Sequence, residues 1–543
     1  MRDYPVSHSR LASLILLGFL ALITLPYALA PLILPQNAVW GGLLGSADDQ
    51  NVHLMWARQA QEGAFFLRDK FTTESLVSGE KPLFFNVLPA LMGILARIFG
   101  VDVVFPYHVL RVALAAWALW QFHQLARLVT RRDETDNRLP IFALLLLCFT
   151  TGAGFLASLP FFGRFLFIDR PDGNFPLMPE AFFLLSAFAY PLNIASFGLL
   201  ALLFRKLIEK SGALTAFFAA LLLANIHTYD ALPFLATATL WALWQAKNAE
   251  KSAMRVTLAA ICGAILPVAY QFFVFRGSEE FRLKALTVTA PPDLPSMLLV
   301  FAPLLVLAAF GIRKWREFPA IPLLLLWIAT TFALVYAPTT LFSFARKMIE
   351  GVQIPLVLLA AIGAGALWDK MAAFGPRQLV FALGLGILMI SPAQFFGWIW
   401  NNTLENNAAR WRVLMPPLAL SRGDAAALRA IEKQGGDGAV LSLPYLGSYV
   451  PRATGKWTYA GHWAETLRFE TEKFPRVARF YQGRMTPDEA RAFLCDHRIR
   501  WVVEGQFERE FSGGVSVASQ LGLRPIFRGG DAETGMTTVF EVY

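Results

Sequence analysis

The chain has 543 residues, 56% of them hydrophobic and only 16% charged, with a formal net charge of +9 and a mean hydropathy of +0.48. Water-soluble domains carry about 25% charged residues, so this mixture excludes a soluble enzyme, a disordered chain and a disulfide-stapled secreted scaffold. It is the composition of a multispanning membrane protein.

The positive charge is spread along the chain in short clusters between apolar runs: Arg131/Arg132/Arg138, Arg205/Lys206/Lys210, Lys247/Lys251/Arg255, Arg313/Lys314/Arg316 and Lys370/Arg377. Cationic loops stay on the cytoplasmic side, and this spacing is what that bias produces. A nucleic-acid partner would need one continuous basic face, and none is present. Cys148, Cys262 and Cys495 are too far apart for a zinc-ligand spacing or a disulfide framework.

In chain order, Arg2 and Arg10 precede an apolar stretch from Leu11 to Leu34. Ala28-Leu29-Ala30 imitates a signal-peptidase site, but Pro31 follows and the stretch exceeds a signal-peptide core. It is expected to be an uncleaved first span entering from the cytoplasm. Further spans are expected near 104–128, 139–161, 181–204, 213–226, 229–246, 256–275, 296–312, 319–337, 352–368 and 379–400. The segment 83–99 is apolar but interrupted by Asn86, Pro89 and Arg97. If it is re-entrant or interfacial, every basic cluster above falls in the cytoplasm, and that reading is preferred.

The expected fold is therefore mostly α, a membrane domain over 1–400 with about 11 transmembrane helices plus the re-entrant or interfacial segment. The N-terminus is cytoplasmic and the C-terminal domain external or periplasmic, as for a cell inner-membrane protein of the envelope. The external face would consist of the loop 36–85, the loop 162–180, the turn 226–230, the loops 276–295 and 337–351, and a tail over 401–543. The tail is charged and alternates strand-like pieces (438–443, 500–505, 523–528, 537–543) with helix-like ones (421–434, 471–482, 487–497). In it, Thr486-Pro487-Asp488-Glu489 reads as a helix cap. It is expected to be a small α/β domain.

The ionisable residues outside the basic clusters concentrate in these external segments, so chemistry at one membrane face is favoured over a path through the bilayer. Asp48 and Asp49 open the first external loop ahead of an amphipathic stretch. Two acids there could cap a helix, act as a general base, or hold a divalent cation. Asp169 and Asp172 lie in a loop whose Pro171 and Gly173 are ordinary turn residues, so they are either turn formers or site residues. His227, Tyr229 and Asp230 form a polar turn between two short spans. They either cap those helices or orient a donor phosphate or sugar. Arg346 and Lys347 would sit externally against the charge bias, where a planar fork and a point charge could hold a phosphate or a lipid headgroup. Arg282 and Lys284 are expected to touch headgroups. His462 and Glu465 flank Trp463 after a strand-like WTYAG, an arrangement suited either to a sugar or to the membrane interface.

A first span, an external loop opening with Asp48-Asp49, an amphipathic helix, a Pro82-Leu83-Phe84-Phe85…Gly100 segment and a span containing Arg111 resemble the GT-C superfamily of integral membrane glycosyltransferases. Protein mannosyltransferases and lipid A aminoarabinose transferases belong to it. The resemblance covers about residues 10–250. Beyond it, HTYD (227–230), RKMIEG (346–351) and GHWAET (461–466) are similar to segments of a bacterial branch of multispanning proteins. The resemblance implies a polyprenyl-phosphate-linked sugar as donor, an acceptor of unspecified class on the external face, and Asp48 or Asp49 as catalytic base. Under it Arg346/Lys347 would hold the leaving phosphate from the same leaflet. Two other classes stay open: a transporter or flippase of a lipid-linked saccharide, and a non-catalytic envelope assembly protein on the same fold.

Overall fold

The computed structural model describes residues 6–34, 38–131, 137–153, 178–371, 376–405, 414, 416–531 and 535–542. The chain forms two compact units. The first comprises Met1–Leu25, Val109–Phe272 and Val288–Trp398, and the second Pro26–His108, Phe273–Thr287 and Ile399–Tyr543. Among the described residues, six helices are long and apolar enough to cross a membrane: Arg10–Ile33, Pro191–Glu209, Lys251–Gly277, Leu294–Ile312, Ala345–Lys370 and Gln378–Leu404. The protein is thus a membrane protein. Arg138–Phe149, Ala213–Ile226 and Ile321–Val335 are apolar but shorter, so the expected count of eleven is not established by length and composition.

In the first unit, helix packing rests on small residues, as it must where lipid removes the hydrophobic drive between helices. Helices Leu294–Ile312 and Gln353–Lys370 approach closely at two glycines. A Cβ on Gly363 would lie 1.8 Å from the Leu307 carbonyl oxygen, and one on Gly311 2.1 Å from that of Leu359. Buried polar side chains tie other segments. Gln353 accepts from the Phe183 amide at 2.7 Å and donates to the Thr150 carbonyl at 3.1 Å. Arg111, buried in helix Val104–Thr130, donates to the carbonyls of Ile23 and Ala187 at 3.0 and 2.9 Å. A guanidinium in such surroundings is tolerated because its protons find carbonyls. The expected span 181–204 is broken: Phe183–Ala189 ends at Tyr190, and Pro191, which lacks an amide proton, starts a new helix Pro191–Glu209.

The second unit contains the strands. β1 (Ala38–Trp40) pairs antiparallel with β2 (Ala419–Ser421). The main sheet contains β3 (Ala439–Leu441), β4 (Trp457–Thr458), β5 (Ile499–Glu504), β6 (Arg524–Asp531) and β7 (Gly535–Glu541), in the order β4-β3-β5-β7-β6. β3 runs parallel to β4 and β5, whereas β7 is antiparallel to β5 and β6. Its core holds Val440, Leu441, Trp501, Val502, Val503, Tyr459 and Tyr481. Helices Arg422–Glu432, Phe474–Tyr481 and Pro487–Asp496 fall where the sequence places them, the last with a Thr486–Glu489 capping box.

The first loop is integral to this unit. Leu76 enters the sheet's core, the Thr458 amide donates to the Lys70 carbonyl at 2.9 Å, and Arg498 donates to the Leu76 carbonyl at 2.8 Å. The buried Lys473 ammonium donates to Thr73 Oγ1 at 3.0 Å and pairs with Glu74 at 3.2 Å. The interrupted segment forms helix Val87–Phe99, with Asn86 accepting from the Leu88 amide at its start and left-handed Gly100 ending it. Thirteen residues span about 20 Å, short of a roughly 30 Å hydrocarbon core. Gly93 lies against Ala57 and Ala60 of helix Ala47–Gln61, where a Cβ would meet the Ala57 carbonyl oxygen at 2.3 Å.

Candidate functional site

Two clusters of the expected residues form, one in each unit. In the second unit, Asp48 and Asp49 occupy the first turn of helix Ala47–Gln61, where carboxylates favour the macrodipole. They differ in environment: Asp48 is 5% exposed, whereas half of the Asp49 side chain is exposed. Which acid could act as base was open in the sequence, and burial separates the two. Removal from water pushes the Asp48 carboxyl up to about 6, with the Asp49 charge adding to the rise and His462 opposing it.

His462 is the third member. It follows β4 after Gly461, which is pressed so closely on Gly447 that a Cβ would lie 2.8 Å from the Gly447 carbonyl oxygen. The Thr466 hydroxyl locks this turn, accepting from the Gly461 amide at 3.0 Å and donating to the Phe71 carbonyl at 2.8 Å. The buried imidazole accepts at Nδ1 from the amides of Ala464 and Glu465, at 3.0 and 3.2 Å. Its proton therefore sits on Nε2, which is 3.1 Å from Asp49 Oδ1 and 3.9 Å from Asp48 Oδ2. The donor atoms of all three residues lie within 4.8 Å of one another, a spacing that a divalent cation could use. Three residues beyond Asp48, the buried Asn51 amide has no hydrogen-bond partner among the described residues.

A ring of further ionisable groups surrounds the cluster. Glu465 is ion-paired with Lys284, which also lies 3.8 Å from Asp69 and 5.7 Å from the centre of the Trp56 ring. Lys284 is thus engaged inside the unit, and the headgroup contact expected for it gives way to carboxylates that would otherwise be buried unpaired. Glu280 accepts from the Asp69 amide at 3.0 Å, and burial beside Asp69 pushes its carboxyl up to about 8. Asp69, Glu280 and this use of Lys284 were not singled out in the sequence. Trp463 stays half exposed beside His462.

In the first unit, His227 sits at the junction of helices Ala213–Ile226 and Thr228–Lys247, and Asp230 in the first turn of the latter. His227 Nδ1 lies 2.8 Å from Asp230 Oδ2 and 3.5 Å from Glu350 Oε2. Ser196 donates to the same Asp230 oxygen. Arg346 and Lys347 lie on the short helix Ala345–Ile349. The Arg346 amide is 3.1 Å from the Thr289 carbonyl. Arg346 pairs with Glu180 at 3.3 Å, and Lys347 Nζ is 5.1 Å from the centre of the Tyr229 ring. His227, Tyr229, Asp230, Arg346 and Lys347 therefore share one neighbourhood, to which Glu180, Ser196 and Glu350 are added. Asp169 and Asp172 lie outside the described residues.

The protein has the fold of the GT-C membrane glycosyltransferases. ArnT from Cupriavidus metallidurans, in a structure bound to undecaprenyl phosphate, matches with a TM-score of 0.53 over 96% of this chain and 97% of that one, at 11% identity. The oligosaccharyltransferase AglB from Archaeoglobus fulgidus, in complex with an inhibitory peptide and a dolichol-phosphate, matches with a TM-score of 0.51 over 96% and 74%, at 13% identity. A structure of the Archaeoglobus fulgidus oligosaccharyltransferase with Zn and sulfate gives 0.50 over 91% and 68%, at 12% identity. At these identities the likeness is one of fold. No protein-family model matches the chain, and no curated protein gives a significant match.

Proposed function

We propose that the protein is an inverting membrane glycosyltransferase that moves a sugar from a polyprenyl-phosphate donor to an acceptor on the external face. The observation that carries this reading is the buried Asp48 carboxyl, held beside Asp49 and the Nε2–H of His462. A carboxylate with a raised affinity for protons, in a partly dry site, is suited to take a proton from a reacting hydroxyl. The GT-C fold and the lipid phosphates bound to ArnT and AglB support the donor class.

In this mechanism the acceptor oxygen attacks the anomeric carbon from the face opposite the lipid phosphate. The new C–O bond forms as the old one breaks, its electron pair leaves on the phosphate, and the acceptor proton passes to Asp48. One displacement inverts the anomeric centre. Asp49 and His462 hold the geometry: His462 donates to Asp49, and the Asp49 charge keeps Asp48 basic. Arg346 and Lys347 of the first unit supply fixed positive charge of the kind that binds a lipid phosphate.

The test incubates purified protein with a panel of radiolabelled polyprenyl-phosphate sugars and membrane extract, comparing the wild type with Asp48→Asn and Asp49→Asn. Transfer by the wild type that is lost in Asp48→Asn supports the assignment. Equal transfer by all three proteins rejects it.

A further inference from the structure

The first unit contains a group that the proposed transfer reaction does not use. Asp230 and Glu350 are each 1% exposed, and Asp230 Oδ1 and both Glu350 oxygens have no hydrogen-bond partner among the described residues. Both acids face His227 Nδ1. Among the described residues, the nearby cations are otherwise engaged, Arg346 with Glu180 and Lys347 with the Tyr229 ring. Two carboxylates buried around a single imidazole are short of positive charge, and unpaired carboxylate oxygens are costly away from water.

We propose that His227 Nδ1, Asp230 and Glu350 form a binding site for a divalent cation of the zinc or manganese class. One imidazole and two carboxylates are the donors such ions prefer, and three protein ligands leave a position for water or an anion. The donor atoms lie within 4.8 Å of one another, and bonds of roughly 2.0–2.2 Å place ligand atoms about 3–4.5 Å apart. The ligands are held by structure that does not depend on an ion. His227 is fixed at a helix junction, and Asp230 accepts from the Ser196 hydroxyl, an outer contact of the kind that orients metal-binding carboxylates. Glu350 is set by Gly351, whose φ of +79° and approach to Leu200 admit no side chain. The proposal stands whether or not Asp48 is a catalytic base.

The test strips the full-length protein in detergent with a chelator, then offers zinc, manganese or cobalt and measures bound metal by mass spectrometry. The expected result is retained metal in the wild type, in Asp48→Asn and in His462→Gln, and one equivalent fewer in His227→Gln and Glu350→Gln. Glu350→Asp, which keeps the donor chemistry, should recover binding in part. Cobalt-loaded wild type should show visible ligand-field absorption that zinc displaces, a readout independent of how any variant folds. A wild type that binds no metal, or loss of metal only in the Asp48 and His462 variants, would overturn the proposal.

Discussion

His462 Nε2 lies 3.1 Å from Asp49 Oδ1, across 413 positions of sequence, and Asp48 Oδ2 is 3.9 Å from the same nitrogen. The contact gives the two neighbouring acids different tasks. The exposed one accepts from the imidazole, and the buried one is left with a raised proton affinity.

Removing the Asp48 carboxylate should therefore cost more than removing that of Asp49. Asp48→Asn is expected to lower kcat by about 10²–10⁴-fold, the usual range for a general base. Asp49→Asn and His462→Gln, which disturb position and local charge, should each cost about tenfold. Initial rates of label transfer at saturating donor check the order. An Asp49 variant more damaged than the Asp48 variant would reverse the assignment.

Lys347 should act on donor affinity. Lys347→Gln removes one positive charge without orphaning a carboxylate, and is expected to raise KM for the lipid-phosphate sugar about tenfold, roughly 1.4 kcal/mol, with kcat little changed. Arg346→Gln also releases Glu180 from its ion pair and should destabilise the protein. Titration with a short-chain polyprenyl phosphate measures the binding directly.

Much of this arrangement could be read in the sequence, and the part that could not has a physical cause. Asp48 and Asp49 were legible because an acid pair just after a first span is rare in position as well as composition. The tail's strands and its Thr486 capping box were legible because both are local patterns. His462 was singled out beside Trp463 for a sugar or the membrane interface, and its bond to Asp49 was not legible because it depends on packing between segments hundreds of residues apart. Lys284 looked like a surface cation until Asp69 and Glu465 were found beside it. Glu350 lay inside the RKMIEG segment without a role of its own and Ser196 carried no signal: a single acid and a single hydroxyl become informative only when His227 and Asp230 arrive next to them.

The second unit should lose stability as pH rises. In its sheet domain Glu508 accepts from the Leu443 and Gly505 amides and from Tyr445, and burial with the Asp424 charge pushes its carboxyl up to about 8 from an ordinary 4.5. A carboxyl that is harder to ionise folded than unfolded binds more protons in the native state. Its contribution is complete below about pH 4.5 and is lost as pH rises through about 8. The wild type should thus unfold at lower temperature at pH 8.5 than at pH 6. Glu508→Gln should flatten that difference, worth on the order of a few kcal/mol. Thermal unfolding followed by intrinsic fluorescence measures both.

Cys495 is exposed on helix Pro487–Asp496 and offers a native reporter of sidedness. With Cys148 and Cys262 replaced by alanine, a membrane-impermeant maleimide should label Cys495 in intact cells if the tail is external. Labelling only after the membrane is opened would put the tail, and Asp48 with it, on the cytoplasmic side.

The pairing of β1 with β2, residue 38 opposite residue 421, has a consequence for biogenesis. A ribosome delivers the acids hundreds of residues before the strand and the histidine that complete their surroundings. Throughout that interval the nascent protein holds two solvated aspartates and no finished site. Under the proposed function, activity awaits the arrival of the last quarter of the polypeptide, and a chain cut short near residue 400 is expected to insert into the bilayer yet stay inert.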